Sequence, residues 1–233
     1  MIQKLRHYAG NVQRYLWRYY ESLFPQLTIN EELLIKARED FSLDQTTDQL
    51  KKCYNSLSLR ESDNKIYFNN LLHYVEVDKF LPNNPFFLYP PNVAVIDFLL
   101  KNVKKEDRIL DYACGLGNLQ IYLRKLGFHN TFGYDNFDQI DQSTIQAFVQ
   151  QFGFQNVLLS KEQALTLQEN VLTCIGWWWK RIDKSFLNEK LKNPALRTIL
   201  IETRYAPRYI KGFRIMGVYK DLIIVFQRRK HAK

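Results

Sequence analysis

Cysteine is scarce in this chain of 233 residues: Cys53, Cys114 and Cys174 are widely spaced and odd in number. No disulfide framework or zinc-binding spacing can be built from them. The histidines, His7, His73, His129 and His231, are equally scattered, so no metal site is expected. Long apolar runs are also missing. A membrane-spanning helix needs about 18–20 consecutive apolar residues, and the closest approach, "FFLYPPNVAVIDFLL", is broken by two prolines and Asp97. The first residues are basic and aromatic, and no small-residue cleavage site follows a long apolar core, so they do not read as a signal peptide. A reducing cytoplasm is the simplest expectation. There is no G-x-x-x-x-G-K-[ST] loop, which argues against ATP or GTP hydrolysis.

Acidic residues are in deficit: 24 Asp and Glu face 33 Lys and Arg, a net charge of +9. A basic protein of this kind suits nucleic acid or an anionic membrane surface as partner. A Lys/Arg-rich solvated surface gives the same number, and charge alone does not choose. With 46% hydrophobic and 15% aromatic residues the chain is globular. Its length fits one α/β domain with an appendage.

Residues 1–82 read as a mainly helical extension or cap. Leu5, Tyr8, Val12, Leu16, Tyr19 and Leu23 recur at helical spacing until Pro25. Asn30 before Glu31 and Glu32 suggests an N-cap for a second helix, and a third fits residues 47–57. "NKIYFNNLLHYVEVDKF" is ambiguous between helix and strand. The prolines and asparagines of "LPNNPFFLYPPN" mark the break before a second unit, residues 83–233. Here strand and helix signals alternate. "VAVIDFLLKNV" is a helix, "RILDYA" a strand, "NLQIYLRKL" a helix closed by Gly127, and "NTFGYD" a strand. "FDQIDQSTIQAFVQQF" is a helix, "NVLL", "VLTCIG" and "RTILIET" are strands, and a further helix covers about residues 183–192. The order predicts an α/β fold with a Rossmann-like, seven-stranded, mostly parallel sheet covered on both faces. "FRIMGVY" and "LIIVFQRR" are too close for a crossover helix, so they must form a reversed C-terminal hairpin.

The turn "DYACGLG" follows a strand and opens a helix, where backbone N–H groups can face a ligand. Gly115 and Gly117 allow close approach. Asp135 ends the next strand, placed like a carboxylate that accepts from ribose hydroxyls. A dinucleotide fingerprint needs a third glycine where this chain has Gln120. Asp111 would also repel a pyrophosphate, whereas it suits a cation such as a sulfonium or an amino group.

"LDYACGLG" resembles motif I of class I S-adenosylmethionine-dependent methyltransferases, and "FGYDN" is similar to their second motif. The resemblance covers about residues 90–228, including the reversed hairpin strand with which the family sheet ends. It implies an enzyme that uses S-adenosyl-L-methionine. Asp111, Ala113, Cys114, Gly115 and Gly117 would line the methionyl side. Asp135 would take the ribose, with Asn136 and Phe137 beside the adenine. Ala113 stands where the family often has glycine.

The chain departs from the family after its third strand, where "LLSKEQAL" offers only Glu162 as the acidic residue near adenine. After the fourth strand it has "CIGWWWK" in place of a [DN]-P-P-[YF] signature, which disfavours methylation of base exocyclic amines. Trp177 is a candidate substrate residue there, and Glu202, Arg204 and Tyr205 are candidates after the fifth strand; each has a packing or ion-pair role as its alternative. No general base stands out. Three functions follow as expectations: methyl transfer to an oxygen or nitrogen of a small molecule or glycan; methylation of RNA or an RNA-associated protein through the basic surface; or a non-catalytic interaction module on the same fold. Acceptor and oligomeric state are not encoded legibly.

Overall fold

A computed structural model describes residues 18–32, 90–114, 118–135, 158–175, 184–203 and 206–229. In chain order its elements are β1 (Gln26–Leu27), α1 (Pro90–Asn102), β2 (Ile109–Tyr112), α2 (Asn118–Lys125), β3 (Thr131–Tyr134), α3 (Lys161–Thr166), β4 (Val171–Cys174), α4 (Lys184–Lys192), β5 (Thr198–Glu202), β6 (Phe213–Tyr219) and β7 (Ile223–Arg228). The strands form one seven-stranded sheet in the order β1-β6-β7-β5-β4-β2-β3. β2 pairs in parallel with β3 and β4, and β4 with β5. β7 is antiparallel to both β5 and β6, which is the reversed hairpin expected from the short connection.

Every residue of β2, β4 and β5 is buried. A strand covered on both faces needs apolar groups on both, so these segments read as runs rather than alternations. Ile109, Val171 and Leu200 pack with Ile96 and Leu99 of α1 and Leu123 of α2 on one face. Leu110, Leu172 and Ile199 pack with Ala164 of α3 and Phe186 of α4 on the other.

Helix ends follow local chemistry. α1 starts at Pro90, inside the stretch expected to be irregular, because a first-turn residue needs no N–H partner. After α2, Gly127 takes φ 90°. Its N–H donates to the Arg124 carbonyl at 2.9 Å and that of Phe128 to Leu123 at 2.8 Å, a Schellman closure. α3 was not anticipated, although "SKEQ" carries its signal: Ser160 caps the Gln163 N–H and the Gln163 side chain accepts from the Ser160 N–H.

Six of the seven strands are those expected. "NVLL" is described only from Leu158, which makes a single parallel bridge to Gly133. The seventh strand comes instead from the N-terminal segment expected to be helical. Residues 18–22 are helical, the chain turns at Pro25, and β1 then pairs in parallel with Val218 and Tyr219 of β6. Two residues are too few to show a period-2 pattern; what recruits them is the open edge of β6, whose Val218 N–H donates to the Pro25 carbonyl at 2.9 Å. The helices expected at residues 47–57 and 137–152, the ambiguous stretch before Phe80 and the boundary at residues 82–83 lie outside the described residues.

Candidate functional site

In an open α/β sheet a ligand binds beyond the carboxyl ends of the strands, where the strand order reverses. Here the chain moves from β2 to β3 on one side and returns to β4 on the other, so the switch point lies between β2 and β4. Asp111 on β2 is in register with Thr173 on β4 at this point. Its carboxyl is buried, at 3% exposure. Thr173 Oγ1 donates to Oδ1 and Gln120 Nε2 to Oδ2, each at 2.5 Å. Both donors are neutral. Burial pushes the Asp111 carboxyl up to about 7; the bonds from Thr173 and Gln120 pull it back, and the nearby charge of Asp135 adds to the rise.

The turn after β2 folds over the end of β3. The N–H groups of Ala113 and Cys114 both donate to the Tyr134 carbonyl, at 2.8 and 3.3 Å. Ala113 adopts φ 62°, the left-handed conformation glycine takes without strain, which gives a physical reason for the glycine common there in the resembling family. Cys114 packs so closely on β3 that a Cβ on Gly133 would lie 2.7 Å from its Sγ. The glycine of "NTFGYD" is therefore a packing requirement. Burial first, then the charges of Asp135 and Asp111, pushes the Cys114 thiol well up, so it stays protonated and is a poor nucleophile.

Asp111, Ala113, Cys114 and Asp135 thus meet at one edge of the sheet. Gly115, Gly117, Asn136, Phe137, Trp177, Arg204 and Tyr205 lie outside the described residues. Glu162 is exposed in the first turn of α3, where it accepts from Ser160 Oγ at 2.9 Å. Glu202 ends β5 and is buried, at 2% exposure. Sequence reasoning missed Thr173 altogether and read Gln120 only as a failed glycine. Among the described residues no group of three His, Cys, Asp or Glu could hold a metal, and no helix is long and apolar enough to cross a membrane.

No family model matches the sequence, and no curated protein matches it. Solved structures do resemble it. A protein of the NADB-Rossmann superfamily from Streptococcus agalactiae is 17% identical over 60% of this chain and 68% of that one, with a TM-score of 0.44. A TehB-like SAM-dependent methyltransferase from Corynebacterium glutamicum is 17% identical over 71% of this chain and 100% of its own, also at 0.44. Magnesium protoporphyrin IX methyltransferase from Synechocystis, solved with bound SAM, is 14% identical over 88% of this chain and 100% of its own, at 0.40. The described residues form a Rossmann-like, mostly parallel sheet with a reversed C-terminal hairpin, which is the fold that the resemblance to class I S-adenosylmethionine-dependent methyltransferases implies.

Proposed function

We propose that this chain transfers a methyl group from S-adenosylmethionine to an oxygen or nitrogen of a small molecule or glycan. The observation that carries the reading is Asp111: a buried carboxyl at the switch point whose hydrogen-bond partners are both neutral. Such a group favours a ligand that brings positive charge and opposes a pyrophosphate. When bound, the cofactor supplies an electrophilic methyl on a cationic sulfur. On this reading Cys114, Gly115 and Gly117 accommodate the methionyl part, Asp135 accepts from the ribose hydroxyls, and Asn136 and Phe137 flank the adenine.

Phe186 near the start of α4 stacks on Tyr112, centroids 4.6 Å apart, and on Tyr134 at 5.0 Å. Phe186 thus brings the start of α4 beside the ends of β2 and β3, and on this reading Trp177, Arg204 and Tyr205 are the candidate acceptor residues. Methyl transfer is largely positioning and exclusion of water, so the mechanism needs no dedicated base.

The small-acceptor reading draws support from two basic residues the fold uses for itself. Arg18 pairs with Asp221 at 3.3 Å. Arg228 donates to the carbonyls of Leu196, Leu191 and Asn193. An RNA acceptor is favoured instead by Arg208, Lys211, Arg214, Lys220 and Arg229, which are exposed and hold no ion pair among the described residues. Calorimetry tests the main reading: the folded protein should bind S-adenosylmethionine and its demethylated product, and Asp135→Ala should weaken binding by about 1–3 kcal/mol. No binding to the folded protein would refute it. RNA affinity that falls steeply with salt, and vanishes when Arg208, Lys211, Arg214 and Arg229 are replaced together, would establish the nucleic-acid reading.

A further inference from the structure

Building on that reading, we infer that Asp111, Gln120 and Thr173 form a proton-coupled site, in which Asp111 is partly protonated at neutral pH in the free protein and releases its proton when the cationic cofactor binds.

The geometry comes first. Oδ1 lies 2.5 Å from Thr173 Oγ1, a normal separation for a hydroxyl on a carboxylate. Oδ2 also lies 2.5 Å from the Gln120 amide. That is short for an N–H···O bond, which ordinarily spans about 2.7–3.2 Å, and falls at the lower limit of about 2.5 Å for an O–H···O bond. Gln120 is wholly buried, and among the described residues the outer atom of its amide, Oε1, has no hydrogen-bond partner. Turning the amide about its last torsion therefore breaks no bond at the outer end. It presents the carbonyl to Asp111, which, carrying a proton, donates across the short separation.

The electrostatic surroundings point the same way. Among the described residues, the titratable groups that act on Asp111 or feel its charge come from three elements: Cys114 in the following turn, Asp135 beyond β3, and Cys174 on β4. Both thiols are pushed well up, chiefly by burial, and are neutral. Asp135 adds negative charge, and among the described residues no cation offsets it at Asp111. With its carboxyl pushed up to about 7, Asp111 is near half-ionised at neutral pH. A cation placed against it favours the ionised form, so its proton passes to solvent on binding. Affinity for a cationic ligand should rise with pH through this range, about tenfold between pH 6 and pH 8.

The test is calorimetric titration of the full chain with S-adenosylmethionine at pH 7, in phosphate and in Tris. The binding heat should differ between the buffers by the ionisation heat of about half a proton. The pH dependence of affinity and the excess proton release should both be lost in Asp111→Asn. Thr173→Val removes a donor to the ionised form, so it should move the pH midpoint upward; it serves as the readout should the asparagine variant not fold. Binding with the same heat in both buffers and the same affinity at pH 6 and 8 would overturn the inference while sparing the cofactor reading. Proton release that persists in Asp111→Asn would also overturn it, by assigning the proton elsewhere. Failure of the folded wild-type protein to bind the cofactor would remove both.

Discussion

Ala113 sits at the corner of the turn in a conformation that costs a side chain with a Cβ about 1–2 kcal/mol. Glycine would remove that strain but lose more backbone freedom on folding. Ala113→Gly is therefore expected to stabilise the protein by a net of about 0.5–1 kcal/mol, seen as a higher urea midpoint with an unchanged slope. A lower midpoint would show that the methyl group earns more by packing than the turn loses by strain. The same position illustrates how far single residues speak from sequence. Asp111, Gly115, Gly117 and Asp135 form a local pattern whose chemistry can be read from spacing. Thr173 lies 62 positions from Asp111 and becomes its partner only when β4 docks beside β2.

At the scale of elements, α3 and α4 are fastened by a buried lysine. Lys190 near the end of α4 is 1% exposed and donates to the carbonyls of Ala164 and Leu167 at the end of α3, each at 2.7 Å. It also lies 2.6 Å from Glu169, whose carboxyl burial pushes up while Lys190 holds it back. Removing one partner of such a pair leaves the other charge buried alone. Lys190→Met should thus lose about 3–5 kcal/mol in chemical denaturation, and adding Glu169→Leu should recover much of it. If the double variant is no more stable than the single one, the carbonyl caps matter more than the ion pair. The start of α3 is encoded locally in "SKEQ", whereas the Lys190 bonds that hold its last carbonyls come from another helix and leave no local signal.

Across the whole molecule, residues 26–27 of the N-terminal segment join the sheet. β1 covers the upper edge of β6, and Asp97, wholly buried on α1, gathers three donors from different parts of the chain. The Asn30 N–H donates to it at 2.8 Å, Lys101 Nζ at 2.7 Å and Tyr219 Oη at 2.6 Å, while Lys101 also holds the Thr28 carbonyl at 3.0 Å. Burial, then Asp97, pushes the Tyr219 hydroxyl well above its ordinary range, so it remains a donor. Deleting residues 1–30 would expose the β6 edge and remove one of the Asp97 donors. The shortened protein is expected to melt at a lower temperature and to aggregate through that edge, which thermal denaturation with light scattering would show. Unchanged melting would mean that the segment rests on the sheet without supporting it.

What the sequence determined by itself is whatever depends on neighbours along the chain. Apolar runs flanked by helical periodicity specified a parallel sheet, the short link after residue 219 forced a hairpin, and glycines between two acids marked the candidate ligand edge. Tertiary structure decided the rest, because those facts concern groups far apart in sequence. It drew a two-residue strand from residues 26–27 onto an open edge, turned Arg228 inward onto carbonyls of α4 and the loop after it, and gave Gln120 to Asp111 where a glycine pattern had seemed merely broken. Hydrogen-bonding groups buried by packing must find partners wherever the fold brings them, and no local pattern records which partner that will be.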